Sequence, residues 1–137
     1  MSLTIYLHFN GNCREAFEFY RSIFGGEFEM ISTFREGPEG MPLPEDVLDQ
    51  VMHVSYPIGS SMLMGSDVPE QFAPPPVQGS NFSISYQPES KAAADELFAK
   101  LSDGGTVTMP MEDQFWGAYF GSCIDKFGIS WQLNTEH

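Results

Sequence analysis

His8, His53 and His137 are the side chains of this chain whose ordinary titration falls near neutrality, so any proton shuttle at pH 7 starts with them. His8 and His53 fall in strand-like segments, whereas His137 is terminal and reads as solvated. Two imidazoles without a carboxylate partner make a poor metal site, so a hydrogen-bonded structural histidine is the first reading of each and proton transfer the second. Tyr6, close to His8 along the same segment, adds a phenol to that neighbourhood. A second group of polar and aromatic residues lies near the chain end: Asp113, Gln114 and Trp116, then Gln132 within GISWQL. Asp113 and Gln114 fall where a loop or strand edge presents them to a cavity mouth, and Trp116 joins an apolar ring to one N–H donor, suited to stacking on a ligand. A polar Gln132 amid apolar neighbours must find a partner if it is buried, which makes it the strongest pocket candidate. Trp131 alternates with it and reads as core. Cys13 opens a helix, a position that can lower a thiol's pKa, although packing is the commoner role there. No GxSxG, Walker loop, HExxH or glycine-rich dinucleotide fingerprint occurs. The catalytic residues stay unassigned.

The elements that must carry these residues follow from periodicity. Residues 3–9 alternate as a strand, and 13–24 place Ala16, Phe17, Tyr20, Ile23 and Phe24 on one helical stripe, with Asn12 as N-cap and Gly25-Gly26 as the stop. Strands are expected at 27–35, 50–57 and 60–65, with a Gly/Pro-rich excursion at 36–46 read as a surface loop rather than a lid. Pairing of 3–9 with 50–57 is expected to bring His8 and His53 close. After a proline-rich connection at 67–80 the order recurs. A strand at 81–87 leads to a helix at 90–102 bearing Leu97, Phe98 and Leu101, then Gly104-Gly105 and strands near 106–110, 117–124 and 129–134. Asp125-Lys126-Phe127-Gly128 reads as a tight hairpin turn. Gly25-Gly26 and Gly104-Gly105 are offset by 79 positions, while Ile58-Gly59 and Phe127-Gly128 are offset by 69, so the first copy carries the 36–46 insertion. The expectation is an α+β domain over 1–137, built from two βαβββ modules at 1–66 and 81–137 joined by linker 67–80. Each half-sheet leaves an apolar face that needs covering.

Composition narrows the partners. Six Lys+Arg stand against nineteen Asp+Glu, a net charge of −13, which disfavours nucleic acid and anionic membranes because phosphate binding needs a basic stripe. Cys13 and Cys123 are far apart and form no CxxC, which suits reduced thiols and a cytoplasmic setting. No signal peptide or membrane-spanning run is read, so no membrane partner is expected.

The opening YLHFNGNCREAFEFYRSIFGGE and the closing DQFWGAYFGSCIDKFGISWQLN resemble the vicinal oxygen chelate superfamily, and more narrowly its PhnB-like branch, also labelled 3-demethylubiquinone methyltransferase-like. The resemblance spans essentially the whole chain. It implies a cupped, barrel-like mixed sheet of the glyoxalase/bleomycin-resistance fold, a small-molecule ligand and a homodimer. Many members hold a divalent metal through His and Glu from both halves. The resemblance places those positions at Ile5 or Tyr6, near Leu63, near Asn81 or Ser83, and at Gln132, and none supplies a carboxylate or imidazole. No metal or cofactor is therefore expected. The methyltransferase label finds no Rossmann-like cofactor loop to support it. The function expected is binding of a small organic ligand in the sheet cavity without a metal. The alternatives are a metal-dependent lyase, dioxygenase or transferase of the same fold, and an accessory homodimer without catalysis. The candidate pocket residues are Tyr6, His8, His53, Asp113, Gln114, Trp116 and Gln132.

Overall fold

The computed structural model describes residues 2–37 and 42–136. They form two compact units, residues 1–77 and 78–137, each holding a four-stranded mixed sheet. Among the described residues no helix is long and apolar enough to cross a membrane.

The first unit runs β1 (Ile5–Phe9), α1 (Cys13–Phe24), β2 (Met30–Thr33), α2 (Glu45–Leu48), β3 (Val51–Ile58) and β4 (Ser61–Asp67), with sheet order β1-β4-β3-β2. α1 forms where the periodicity places it, and its stripe of Ala16, Phe17, Tyr20 and Ile23 is buried. Phe17 meets the sheet at Gly65, where a Cβ would come within 2.6 Å of its ring. Only a residue without a side chain permits that approach. β1 and β4 are parallel, whereas β3 is antiparallel to both its neighbours. Strands β1 and β3 are thus not paired as the sequence suggested, because β4 runs between them.

Asp67 belongs to β4 rather than to the linker. It is only 3% exposed, and its carboxylate accepts the backbone N–H of Cys13 and of Val51, each at 2.9 Å. The α1 terminus is therefore capped from a distant strand, while Asn12 holds the N-cap position without a side-chain cap bond. The expected strand 27–35 is shorter, because Phe34–Glu36 curl into a single 3-10 turn. Glu36 Oε1 accepts from Thr33 N and Thr33 Oγ1, which satisfies the donors that the curl frees. The expected 36–46 loop contains the start of α2, and its residues 38–41 lie outside the described residues. α2 buries Val47, and Arg35 ties it down through Glu45 and Asp49.

The second unit runs β5 (Ile84–Tyr86), α3 (Lys91–Ser102), β6 (Thr106–Asp113), β7 (Ala118–Ile124) and β8 (Ser130–Glu136), in sheet order β5-β8-β7-β6. Ser90 caps α3 by accepting from Ala93 N, and Ala94, Phe98 and Leu101 form its buried stripe. The third residue expected on that stripe, Leu97, is only half-buried because Ala94 takes the central place. β6 runs on past Pro110 to Asp113, with register shifts between Val107 and Met109 and between Met109 and Glu112. The β7–β8 hairpin closes on Asp125, whose Oδ1 accepts Phe127 N and Ile129 N while Oδ2 accepts Trp131 Nε1 at 2.9 Å. Trp131, 1% exposed, is core.

Candidate functional site

Strand alternation sorts the candidate residues onto faces. In β1 Leu7 and Phe9 are buried on the α1 side, and so Tyr6 and His8 stand on the opposite face, with ring centroids 5.2 Å apart. Tyr6 lies level with Met64 of β4, which lies level with Ser55 of β3. His53, two residues from Ser55, shares that face and pairs in register with Ser32 of β2. The Tyr6 hydroxyl reaches across β4 to His53 Nδ1 at 3.1 Å, and His53 Nε2 lies 2.8 Å from Ser55 Oγ. A phenol, an imidazole and a hydroxyl form one hydrogen-bonded chain. It fixes the orientation of the imidazole, and because each hydroxyl can donate or accept, a proton can pass along the phenol–imidazole link. His8 contributes its ring to this cluster through Tyr6 rather than through His53. Nearby on β2, Ser32 Oγ is buried without a hydrogen-bond partner.

In the second unit Tyr119 bonds Asp95 of α3 at 2.6 Å, which fixes the α3 face of β7. Phe120 and Ser122 therefore face the other way, level with Asn134 and Gln132 of β8. Gln132 also lies level with Ser85 of β5. It borders a depression of about 480 Å³ together with Asn81, Phe82, Ser83, Thr108, Phe120 and Ser122. Thr108 Oγ1 and Ser122 Oγ lie 2.7 Å apart there. A second depression of about 380 Å³ is lined by Trp116, Gly117, Ala118, Asn134 and Glu136. Trp116, 55% exposed, packs edge-on to Phe120 at 6.1 Å, whereas Phe115 is 98% exposed. Neither belongs to the core. Asn134 is a lining residue that the sequence reading missed; its place two residues after Gln132 on an alternating strand was the available signal.

Asp113 and Gln114 are placed elsewhere. Asp113 ends β6 and pairs with Lys91 at 2.9 Å, while Gln114 opens the turn to β7 and donates to the Glu112 carbonyl. Neither lines the two depressions.

The metal that the fold family implies can be tested against these donors. Leu63 and Ile5 lie in register on the α1 side of the sheet, and so Tyr6 and Met64 occupy the face in question. In the first unit these positions offer a phenol and a thioether, and in the second Ser83 or Asn81 and Gln132 offer neutral oxygens, so neither unit supplies a carboxylate there. Among the described residues no three His, Cys, Asp or Glu side chains are grouped to hold an ion. These residues do not fit a divalent metal site. The thiols are equally unsuited to chemistry at neutral pH. Burial, then the charge of Asp67, pushes Cys13 well above the usual thiol range, so its helix-start position does not activate it. Burial, then Asp125, pushes Cys123 up to about 11.

Three solved proteins frame this geometry. Protein PA1353 of Pseudomonas aeruginosa is 42% identical, with TM-score 0.83 and 98% of each chain covered. A Bacillus cereus protein described as a putative 3-demethylubiquinone-9 3-methyltransferase, PhnB protein, is 28% identical, with TM-score 0.76 over 98% of this chain and 99% of that one. The fosfomycin resistance protein FosX of Listeria monocytogenes, solved with Mn(II) and sulfate, shares the fold at 14% identity and TM-score 0.67, covering 100% of this chain and 93% of its own. The 3-demethylubiquinone-9 3-methyltransferase family matches residues 1–134. With its duplicated βαβββ order and these neighbours, the chain belongs to that family, the PhnB-like branch of the vicinal oxygen chelate superfamily.

Proposed function

We propose that this chain binds a small organic molecule in the depression over Gln132, without a divalent metal. One observation carries the reading: about 480 Å³ of space lies beside the rings of Phe82 and Phe120 with the Gln132 amide and the Thr108 and Ser122 hydroxyls at its edge. That volume lies within the roughly 300–1,000 Å³ of ordinary ligand sites, and a few placed polar groups among apolar walls orient a ligand. The Tyr6–His53–Ser55 chain is the group best suited to proton transfer. A homodimer in a reducing, cytoplasmic setting completes the proposal. It is supported by exposed Phe72 and Val77 beside the proline run and by two buried free thiols.

The test combines metal analysis of freshly purified protein with a thermal-shift screen of small organic compounds. Stabilisation of the metal-free protein by a compound, lost in Gln132→Leu and Phe120→Ala, is the expected result. One equivalent of tightly held metal points instead to the metal-dependent reading. Stabilisation by no compound points to an accessory protein. Light scattering at micromolar concentration checks the dimer, and a one-chain mass there refutes it.

A further inference from the structure

The second depression has a chemistry of its own. In the β7–β8 register Ala118 lies level with Glu136 and Phe120 with Asn134, which sets an acid and an amide side by side at the end of β8. The turn at 114–117 brings Trp116 over them, held by its contact with Phe120. Asn134 Oδ1 is buried and has no hydrogen-bond partner. A buried carbonyl oxygen left so has lost its water without gaining a partner, and a donor arriving with a ligand recovers that cost. Glu136 offers only acceptors once ionised, and the face of an indole ring is the negative end of its quadrupole. The donors here are the Trp116 N–H and the Asn134 NH2, whereas Asn134 Oδ1, the Glu136 carboxylate and the indole face each suit a donor or a positive charge. Lys91, a cation of this unit, is committed to Asp113 at 2.9 Å and sits over the Tyr119 ring on the α3 face.

We propose that the depression framed by Trp116, Asn134 and Glu136 binds an organic ammonium group, a protonated amine carried on an apolar body. The ammonium N–H donors meet Asn134 Oδ1 and the Glu136 carboxylate, and the charge lies against the Trp116 ring. Phe120 borders this depression through Trp116 and also lines the one over Gln132, so the apolar body extends along that ring. This last step rests on the ligand site proposed above; the ammonium contact itself does not. The net charge of −13 raises the local concentration of any cation and speeds its arrival.

The probe is benzylammonium, with benzyl alcohol as its neutral counterpart, followed by calorimetry and by Trp116 fluorescence. Benzylammonium is expected to bind more tightly than benzyl alcohol. Glu136→Gln and Trp116→Phe should each weaken it ~fivefold, the size of a partly exposed charge or ring contact. Asn134→Asp should strengthen it by adding charge at the unpaired acceptor. Glu89→Gln removes the same formal charge from an exposed position that does not line the depression, and it should leave the affinity unchanged. Equal affinity for the alcohol overturns the proposal. So does an equal loss in Glu89→Gln and Glu136→Gln, because that shows attraction to net charge alone. If benzylammonium fails while other compounds still bind in a Gln132-dependent way, the ammonium site falls and the Gln132 site stands. If benzylammonium binds and Gln132→Leu leaves every ligand unaffected, the reverse holds.

Discussion

The Tyr6 hydroxyl and His53 Nδ1, 47 residues apart in sequence, lie 3.1 Å from each other across an intervening strand. The other imidazole nitrogen is engaged by Ser55, so both ring nitrogens have a hydroxyl partner and the ring is held in one orientation. Tyr6→Phe is expected to shift the His53 ring-nitrogen resonances markedly, while stability changes by no more than about 1 kcal/mol, the net value of one exposed hydrogen bond. Nitrogen NMR of the wild type and the variant at one pH is the measurement. Superimposable spectra disprove the bond in solution.

Asp67→Ala leaves the Cys13 and Val51 N–H groups buried without an acceptor. The expected loss is roughly 2–4 kcal/mol, because each orphaned donor costs its desolvation. Asp67→Asn keeps one acceptor but sets an amide N–H against the other backbone N–H, so it too should destabilise, by at least about half as much. Urea denaturation of the three proteins decides it. A loss below that of an average surface substitution in Asp67→Ala shows that the cap is dispensable.

Gly128 holds φ +87° in the Asp125–Gly128 turn, and a Cβ there would collide with the Gln78 side chain. Gly128→Val should cost at least about 1–3 kcal/mol from backbone strain alone. Asp113→Ala removes an exposed pair with Lys91 and should cost less than about 1 kcal/mol. Melting temperatures that coincide would falsify both assignments.

Stability should decline in alkali through Cys123. Its folded pKa of about 11 exceeds the ordinary 9.0. Below pH 9 both folded and unfolded thiols are protonated and the full contribution is present. Between about pH 9 and 11 only the unfolded thiol ionises, so stability falls as pH rises, and the loss is complete once the folded group also titrates. The denaturation midpoint at pH 8 minus that at pH 10.5 should shrink in Cys123→Ala. An unchanged difference assigns the alkaline loss to other groups.

Much of the fold was legible because its signals are local. The stripe of α1 and the Asp125–Gly128 turn each depend on residues within a few positions of one another. The sheet order was not legible, since nothing in residues 3–9 says that β4 rather than β3 lies beside them. Asp67 shows the same limit: a carboxylate before a proline-rich stretch looks like solvated linker until the chain folds two distant amides onto it. On the site, alternation identifies which side of β8 carries Gln132 but not how wide the space above it is. Asp113 and Gln114 looked equally suited to a cavity mouth, and only the positions of Lys91 and the Glu112 carbonyl show where their polar atoms go.

β6 is the outer strand of its sheet, and its exposed apolar side chains include Val107 and Met109. A straight strand of that kind is a template on which another chain can add, the first step toward fibrous aggregates. Pro110 has no N–H to offer such a chain, and the two register shifts break the even spacing that an added strand must match. The irregularities of this one strand thereby make its border a poor template for growth.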